Sequence, residues 1–344
     1  MTVLQQTDER PIGRQALRNA LSERVLAVPA ESLRRDPAGY HKRAYVRLIA
    51  DAFGADLLRF RNEAGAIRDV LLLEPSLVLT FNIPWYDRYS DWLIRVLPES
   101  TRLVTIHDDC RRQMHPALAA VLDRSDAVIA PIREPVLRNE QFPGISRKFW
   151  RLPYFVPGDA PHYAVNSQAQ RKCVVAGATG PKYRLRTKAL RELPQSLIAR
   201  LPHPGYWRAS YREATVGAAY FEFLNNHVCG LTCGSTYGYV VMKYLEIPYC
   251  GALLIAEDLP DLAEMGYEAG THFVPVDQET NLGRLVGEVC SCPTAFRRVR
   301  ESGQKLVEQR HTEQARWRDA RRMAAEILRT LGLPLTPSES SEGP

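Results

Sequence analysis

Met242-Lys243-Tyr244-Leu245-Glu246-Ile247-Pro248-Tyr249-Cys250-Gly251-Ala252-Leu253-Leu254-Ile255-Ala256-Glu257 is the stretch whose reading decides the fold. It predicts a short helix that carries one acid, Glu246, and ends at a proline. A Cys-Gly-Ala break follows, then an apolar strand. The acidic run Glu257-Asp258-Leu259-Pro260-Asp261-Leu262 can open another helix. A nucleotide sugar suits such a place. A carboxylate beside a ribose accepts hydrogen bonds from both hydroxyls, so Glu246 is expected to face an open cleft. Gly251 lets backbone approach a ligand, and a helix N-terminus with open N–H groups receives phosphate. The competing reading of Glu246 is a solvated helix acid.

The pattern continues downstream. Lys243 to Leu254 runs close to K-x-F-E-I-x-A-C-G-x-L-L. Glu257 and Asp258 follow as an acidic loop. Gly266-Tyr267-Glu268-Ala269-Gly270 and the strand His272-Phe273-Val274-Pro275-Val276-Asp277 complete it. This order resembles the C-terminal half of GT-B glycosyltransferases, in the group-1-like branch that includes CgeB-type spore proteins. The resemblance implies an α/β protein of GT-B fold. Such a protein has two Rossmann-like, doubly wound domains facing a central cleft, with a helix crossing back at the C-terminus. It also implies that the second half binds the donor and the first half the acceptor.

Length and composition agree with that expectation. A chain of 344 residues suggests two domains, each large enough for its own core. No apolar run approaches the roughly 20 residues of a membrane span. Met1 to Asp8 shows no basic region before an apolar core, so a cytoplasmic location is expected. Among seven cysteines, neither Cys229 with Cys233 nor Cys290 with Cys292 has zinc-site spacing. Free thiols and no metal site are the expectation. The net charge of +6 comes from scattered arginines, with no long basic block and no aromatic-interleaved basic strand, which argues against a nucleic-acid partner. Solvated faces explain those arginines. The alternative is attraction to an acidic acceptor or peripheral association with an anionic membrane surface.

The first half alternates strand and helix patterns. Strands are expected at 24–28, 76–81, 102–106, 126–130 and 148–152. Helices are expected at 40–53, 86–96, 116–122 and 134–140. Such alternation implies a parallel sheet. The reading divides the chain into an acceptor-side domain at 1–155, a Pro/Gly linker at 156–170 and a nucleotide-sugar domain at 171–311. A helix at 312–331 returns to the first domain, and 332–344 forms a disordered tail. The second half is expected to hold strands at 171–177, 227–232, 252–256 and 272–276, and a helix at 282–290.

Two clusters can carry chemistry. A strand ends at Gly177, followed by Ala178-Thr179-Gly180-Pro181-Lys182-Tyr183-Arg184-Leu185-Arg186. Backbone N–H groups with Lys182, Arg184 and Arg186 can neutralise a diphosphate. This is neither a Walker A loop nor G-x-G-x-x-G. In the family this turn often reads Y-P-L-R; Tyr183 and Arg186 match, and Arg184 replaces the proline. The second cluster is His107-Asp108-Asp109, directly after a strand. A histidine there can donate to a sugar hydroxyl, and a carboxylate can orient or deprotonate one. The plain alternative is a helix cap by Asp109. The adjacent carboxylates point apart and do not read as a metal site.

Weaker candidates complete the set. Ser235 and Tyr237, in a loop before the Glu246 helix, can offer N–H groups to phosphates, and Lys243, Glu257 and Asp258 flank the same place. Many GT-B enzymes place a second glutamate eight residues before the one matching Glu246; here that position is Gly238. His203-Pro204-Gly205-Tyr206 reads as a turn, and Trp85, Tyr86 and Tyr89 follow a strand, where core packing is the favoured reading. The resemblance therefore implies a metal-independent glycosyltransferase without cofactor, using a nucleotide sugar and a hydroxyl acceptor such as a glycan. A GT-B sugar-nucleotide epimerase and a non-catalytic nucleotide-sugar-binding protein are the alternatives.

Overall fold

The computed structural model describes residues 24–29, 40–60, 74–82, 95–108, 116–136, 145–203 and 215–335. Two compact units emerge: Met1–Pro153 with Trp317–Pro344, and Tyr154–Arg316.

The first unit contains β1 (Arg24–Pro29), α1 (Tyr40–Ala52), β2 (Asp56–Phe60), β3 (Leu77–Asn82), β4 (Arg102–His107), α2 (Pro116–Arg124), β5 (Ala127–Ala130) and β6 (Phe149–Arg151). Its sheet has the order β2-β1-β3-β4-β5-β6, and every neighbouring pair is parallel. Leu77, Val78, Leu79, Leu103, Val104, Ile106, Val128 and Ile129 are all buried. Consecutive buried residues are what a strand covered on both faces requires, and each such side chain contributes about 1.5–3 kcal/mol. Thr105, one of the buried polar residues of these strands, bonds Ser125 at 2.6 Å between their hydroxyls.

The second unit begins with β7 (Gln170–Gly177), α3 (Arg184–Glu192), β8 (Ile198–Pro202), α4 (Ala218–Asn225) and β9 (His227–Thr232). It continues with α5 (Lys243–Tyr249), β10 (Leu253–Ala256), α6 (Pro260–Glu264), β11 (Val274–Pro275), α7 (Leu282–Ser291) and α8 (Arg297–Arg310). The final helix, α9 (Glu313–Thr330), starts here and joins the first unit at Trp317. The sheet order is β11-β10-β9-β7-β8, again parallel throughout. Val175, Leu231, Leu253 and Ile255 pack with Leu185 and Ala189 of α3 and Leu282, Val286 and Val289 of α7.

Several local expectations change. The edge strands β2 and β8 went unread; β8 reads Ile-Ala-Arg-Leu-Pro with one buried position. Only Val274–Pro275 of the expected 272–276 strand is paired as strand, and the Val276 N–H still donates to the Ala256 carbonyl at 3.0 Å. Helix α8 went unread because its buried side includes Arg300 and Gln304. Those two side chains hold the 156–170 segment, which lies inside the second unit. Gln304 Nε2 donates to the Tyr163 carbonyl at 2.6 Å, Arg300 Nη2 to the Asn166 carbonyl at 3.2 Å and Asn225 Nδ2 to the Ala164 carbonyl at 2.9 Å. Of the expected 86–96 helix only 95–96 falls among the described residues, and of the 332–344 tail only 332–335. Among the described residues, no helix is long and apolar enough to cross a membrane.

Candidate functional site

In an open parallel sheet, ligands bind outside the carboxyl ends of the strands where the winding reverses. In the second unit the chain leaves β7 for β8 on one side and returns to β9 on the other. The reversal therefore lies between β7 and β9. Gly177 ends β7, and Cys233, Gly234 and Ser235 follow β9.

Gly177 has φ +92, in the left-handed region that favours glycine. A Cβ there would lie 2.9 Å from Lys243 Cε, 3.1 Å from Lys243 Nζ and 3.3 Å from Arg186 Nη1. Two cations thus converge on one glycine. Arg186 is 3% exposed. Its Nη1 donates to the Ala178 carbonyl at 3.1 Å, and its Nη2 to Thr232 Oγ1 at 3.2 Å and the Cys233 carbonyl at 3.3 Å. The guanidinium lies 4.4 Å from the Tyr183 ring centroid. Its Nε is buried without a hydrogen-bond partner among the described residues. Burial draws the Lys243 ammonium down to about 8, with Glu246 opposing the shift and Arg186 adding to it. Two confined cations of this kind have the charge and the donors for a diphosphate.

Glu246 lies one turn after Lys243 on α5. It is 3% exposed, not open to solvent as the sequence suggested. On α4, Tyr220 donates its hydroxyl to Glu246 Oε2 at 3.0 Å. Glu257, just after β10, is partly buried, and burial raises its pKa while the Gly234 N–H and Arg186 oppose the rise. Two N–H groups of the loop between β9 and α5 are satisfied within it. Ser235 Oγ accepts from Tyr237 N at 3.2 Å, and the Ser235 carbonyl accepts from Gly238 N at 2.8 Å. Ser235 thus shapes this loop through its hydroxyl and carbonyl, and the Tyr237 N–H is already engaged by Ser235 Oγ. Gly238 has φ +64 and open space where a Cβ would stand.

Other sequence candidates are not drawn together. Lys182 and Arg184 are exposed, whereas Arg186 turns inward. Asp258 is exposed as well. Gly251 precedes β10, at the opposite end of the strand from Glu257. Its positive φ of +70 admits Val165, whose Cα would stand 2.9 Å from a Cβ. Close packing of two backbones, not ligand approach, accounts for this glycine. The expected phosphate site on the helix after Glu257 is also displaced. Helix α6 has five residues and already holds the buried acid Asp261 in its first turn, where a phosphate would meet like charge.

In the first unit, His107 ends β4 and Asp108 follows, both buried. Lys42 of α1 pairs with Asp108 at 2.8 Å. Asp109 lies outside the described residues, as do Trp85, Tyr86, Tyr89, Pro204, Gly205 and Tyr206; His203 follows β8. The described cysteines are free: Cys173, Cys229, Cys233, Cys250 and Cys290 buried, Cys292 exposed. Among the described residues, no group of three or more His, Cys, Asp and Glu could hold a metal ion. Tyr220, Thr232 and Cys233 escaped the sequence reading, since none carries a motif.

Comparison with known proteins follows the same lines. Residues 164–322 match the family described as glycosyl transferase-like. No curated protein matches the sequence. An alpha-glucosyltransferase in complex with UDP-glucose and DNA containing an abasic site is similar in structure, with a TM-score of 0.58 and 10% identity over 88% of this chain and 99% of that one. HepE of Anabaena in complex with UDP-glucose gives a TM-score of 0.58 and 12% identity over 89% of this chain and 99% of that one. A glycosyltransferase from Rickettsia africae gives 0.51 and 10% identity over 89% and 98%. At these identities the likeness is one of fold.

Proposed function

From a chain whose residues 164–322 match the glycosyl transferase-like family and whose fold is GT-B, we infer an enzyme that moves a sugar from a nucleotide-activated donor to a hydroxyl acceptor without an essential metal. One observation carries the reading: Gly177, Arg186 and Lys243 converge at the point where the second sheet reverses. The two similar structures that hold UDP-glucose support a nucleoside diphosphate sugar as donor.

The roles follow from charge. Breaking the bond to the anomeric carbon leaves negative charge on the departing diphosphate. Fixed cations stabilise that charge without reorganising, which is the largest lever such a site has. Arg186 and Lys243 take this role, and Gly177 keeps the space between them open. Glu246 accepts from the ribose hydroxyls. His107 and Asp108 are assigned to the acceptor, and the acceptor class is a glycan or another hydroxyl compound. Incubation with UDP, GDP and dTDP sugars, with and without mixed glycan acceptors, is expected to release free nucleoside diphosphate in EDTA. An epimerised donor, or binding alone, would overturn transfer. Loss of activity in EDTA restored by Mn²⁺ or Mg²⁺ would overturn the metal-free part.

The same reading gives a pH dependence. Lys243 attracts a diphosphate only when protonated, so the charged form dominates below about 8 and is lost above it. The ratio kcat/KM for the donor should fall as pH rises through about 8, because that ratio reports groups of the free enzyme. Lys243→Arg keeps the charge and should remove the alkaline decline. A decline that persists unchanged in Lys243→Arg would assign it to another group.

A further inference from the structure

Helix α4 lies against α5 and is fastened to it twice. Near its start, Tyr220 donates to Glu246 Oε2 at 3.0 Å. At its end, Asn225 Nδ2 donates to the Cys250 carbonyl at 2.9 Å. Both donors are buried, and so are both acceptor residues. The Asn225 clamp fixes where α4 sits, so the Tyr220 hydroxyl arrives at a set place. Its ring is further confined by Phe221, edge-on at 5.9 Å between centroids. Burial, and next the Glu246 charge, raise the Tyr220 pKa well above its usual value. The hydroxyl therefore stays protonated and remains a donor at neutral pH.

A glutamate has three rotatable bonds, and ordering such a side chain costs rotamer freedom. A carboxylate also has two oxygens and about four acceptor sites. A tyrosine donating to one oxygen restricts how the group can turn, and one donor fills only one of those acceptor sites. We propose that Tyr220 is a positioning residue for donor binding, which orients the Glu246 carboxylate toward the ribose before the nucleotide arrives. This rests on the assignment of Glu246 to the ribose.

The test compares binding of UDP and 2′,3′-dideoxy-UDP to wild type, Tyr220→Phe, Glu246→Ala and the double variant, by calorimetry on protein whose fold is checked by circular dichroism. Tyr220→Phe keeps the ring and removes only the hydroxyl. It should weaken UDP by about 10-fold at most, because without the hydroxyl the Glu246 carboxylate must be ordered when the nucleotide binds. It should leave dideoxy-UDP unchanged, and it should add nothing in the Glu246→Ala background. Equal losses on both nucleotides would mean a structural role only and would overturn the proposal. A ribose-selective loss in Glu246→Ala with none in Tyr220→Phe would overturn it while leaving the ribose assignment standing. No ribose-selective loss in Glu246→Ala would remove the ribose assignment and the proposal together.

Discussion

Arg186→Ala should reduce affinity for a nucleoside diphosphate by at least about 100-fold. A guanidinium reaching phosphate oxygens makes charge-assisted hydrogen bonds, each worth roughly 1.5–3 kcal/mol, and two of them exceed that factor. The free nucleoside, which has no phosphate, should bind the variant and the wild type alike. Alanine also strips partners from the Ala178 carbonyl, Thr232 Oγ1 and the Cys233 carbonyl. Unsatisfied buried acceptors cost about 1–3 kcal/mol each, so a lowered Tm is part of the expectation. Arg186→Lys supplies the control. It keeps the charge, loses the planar fork, and should fall between wild type and alanine. If both variants bound the diphosphate as tightly as wild type, the diphosphate would have to lie elsewhere.

Glu246→Ala should weaken binding of a ribonucleotide by about 10- to 150-fold, from one or more hydrogen bonds to a charged acceptor. Glu246→Gln should lose less, because its amide oxygen still accepts. A 2′,3′-dideoxy nucleotide lacks the partners of this carboxylate and should bind wild type and Glu246→Ala about equally. The burial of Glu246 adds a second consequence. Alanine leaves the Tyr220 hydroxyl without its acceptor at a site 9% exposed. Thermal stability should therefore fall in Glu246→Ala more than in Glu246→Gln. Equal loss on ribose and dideoxyribose ligands would mean that Glu246 does not read the ribose.

The two predictions separate two kinds of information. Hydrophobic runs such as Leu77–Asn82 and Leu253–Ala256 announce buried strands, because a strand in a parallel sheet covered on both faces needs apolar residues at nearly every position. The end of Glu313–Thr330 and the break after β7 were legible too, being set by local periodicity and by glycine. Those signals sufficed for the α/β class and for the neighbourhood of Gly177 and Glu246. They could not rank Lys182, Arg184 and Arg186, three cations within five positions. Only the tertiary structure shows that Arg186 alone of the three turns inward. The first turn of α3 directs it toward the carboxyl end of β9, where Thr232 and Cys233 receive it.

Glycines divide in the same way. Gly177 and Gly251 look alike in sequence, each beside a strand, and both have positive φ. One faces two cations and the other the backbone of Val165. Tyr220 carried no signal at all, because its meaning lies in Glu246, a residue on another helix. Local propensity is written in neighbouring residues, so the sequence alone determined the strongly patterned elements and their order but left β2, β8 and α8 unread. Pairing through space depends on which strands lie side by side. The placing of β9 next to β7, with β8 sent to the outer edge, brings Gly177, Arg186, Thr232 and Lys243 to one end of the sheet.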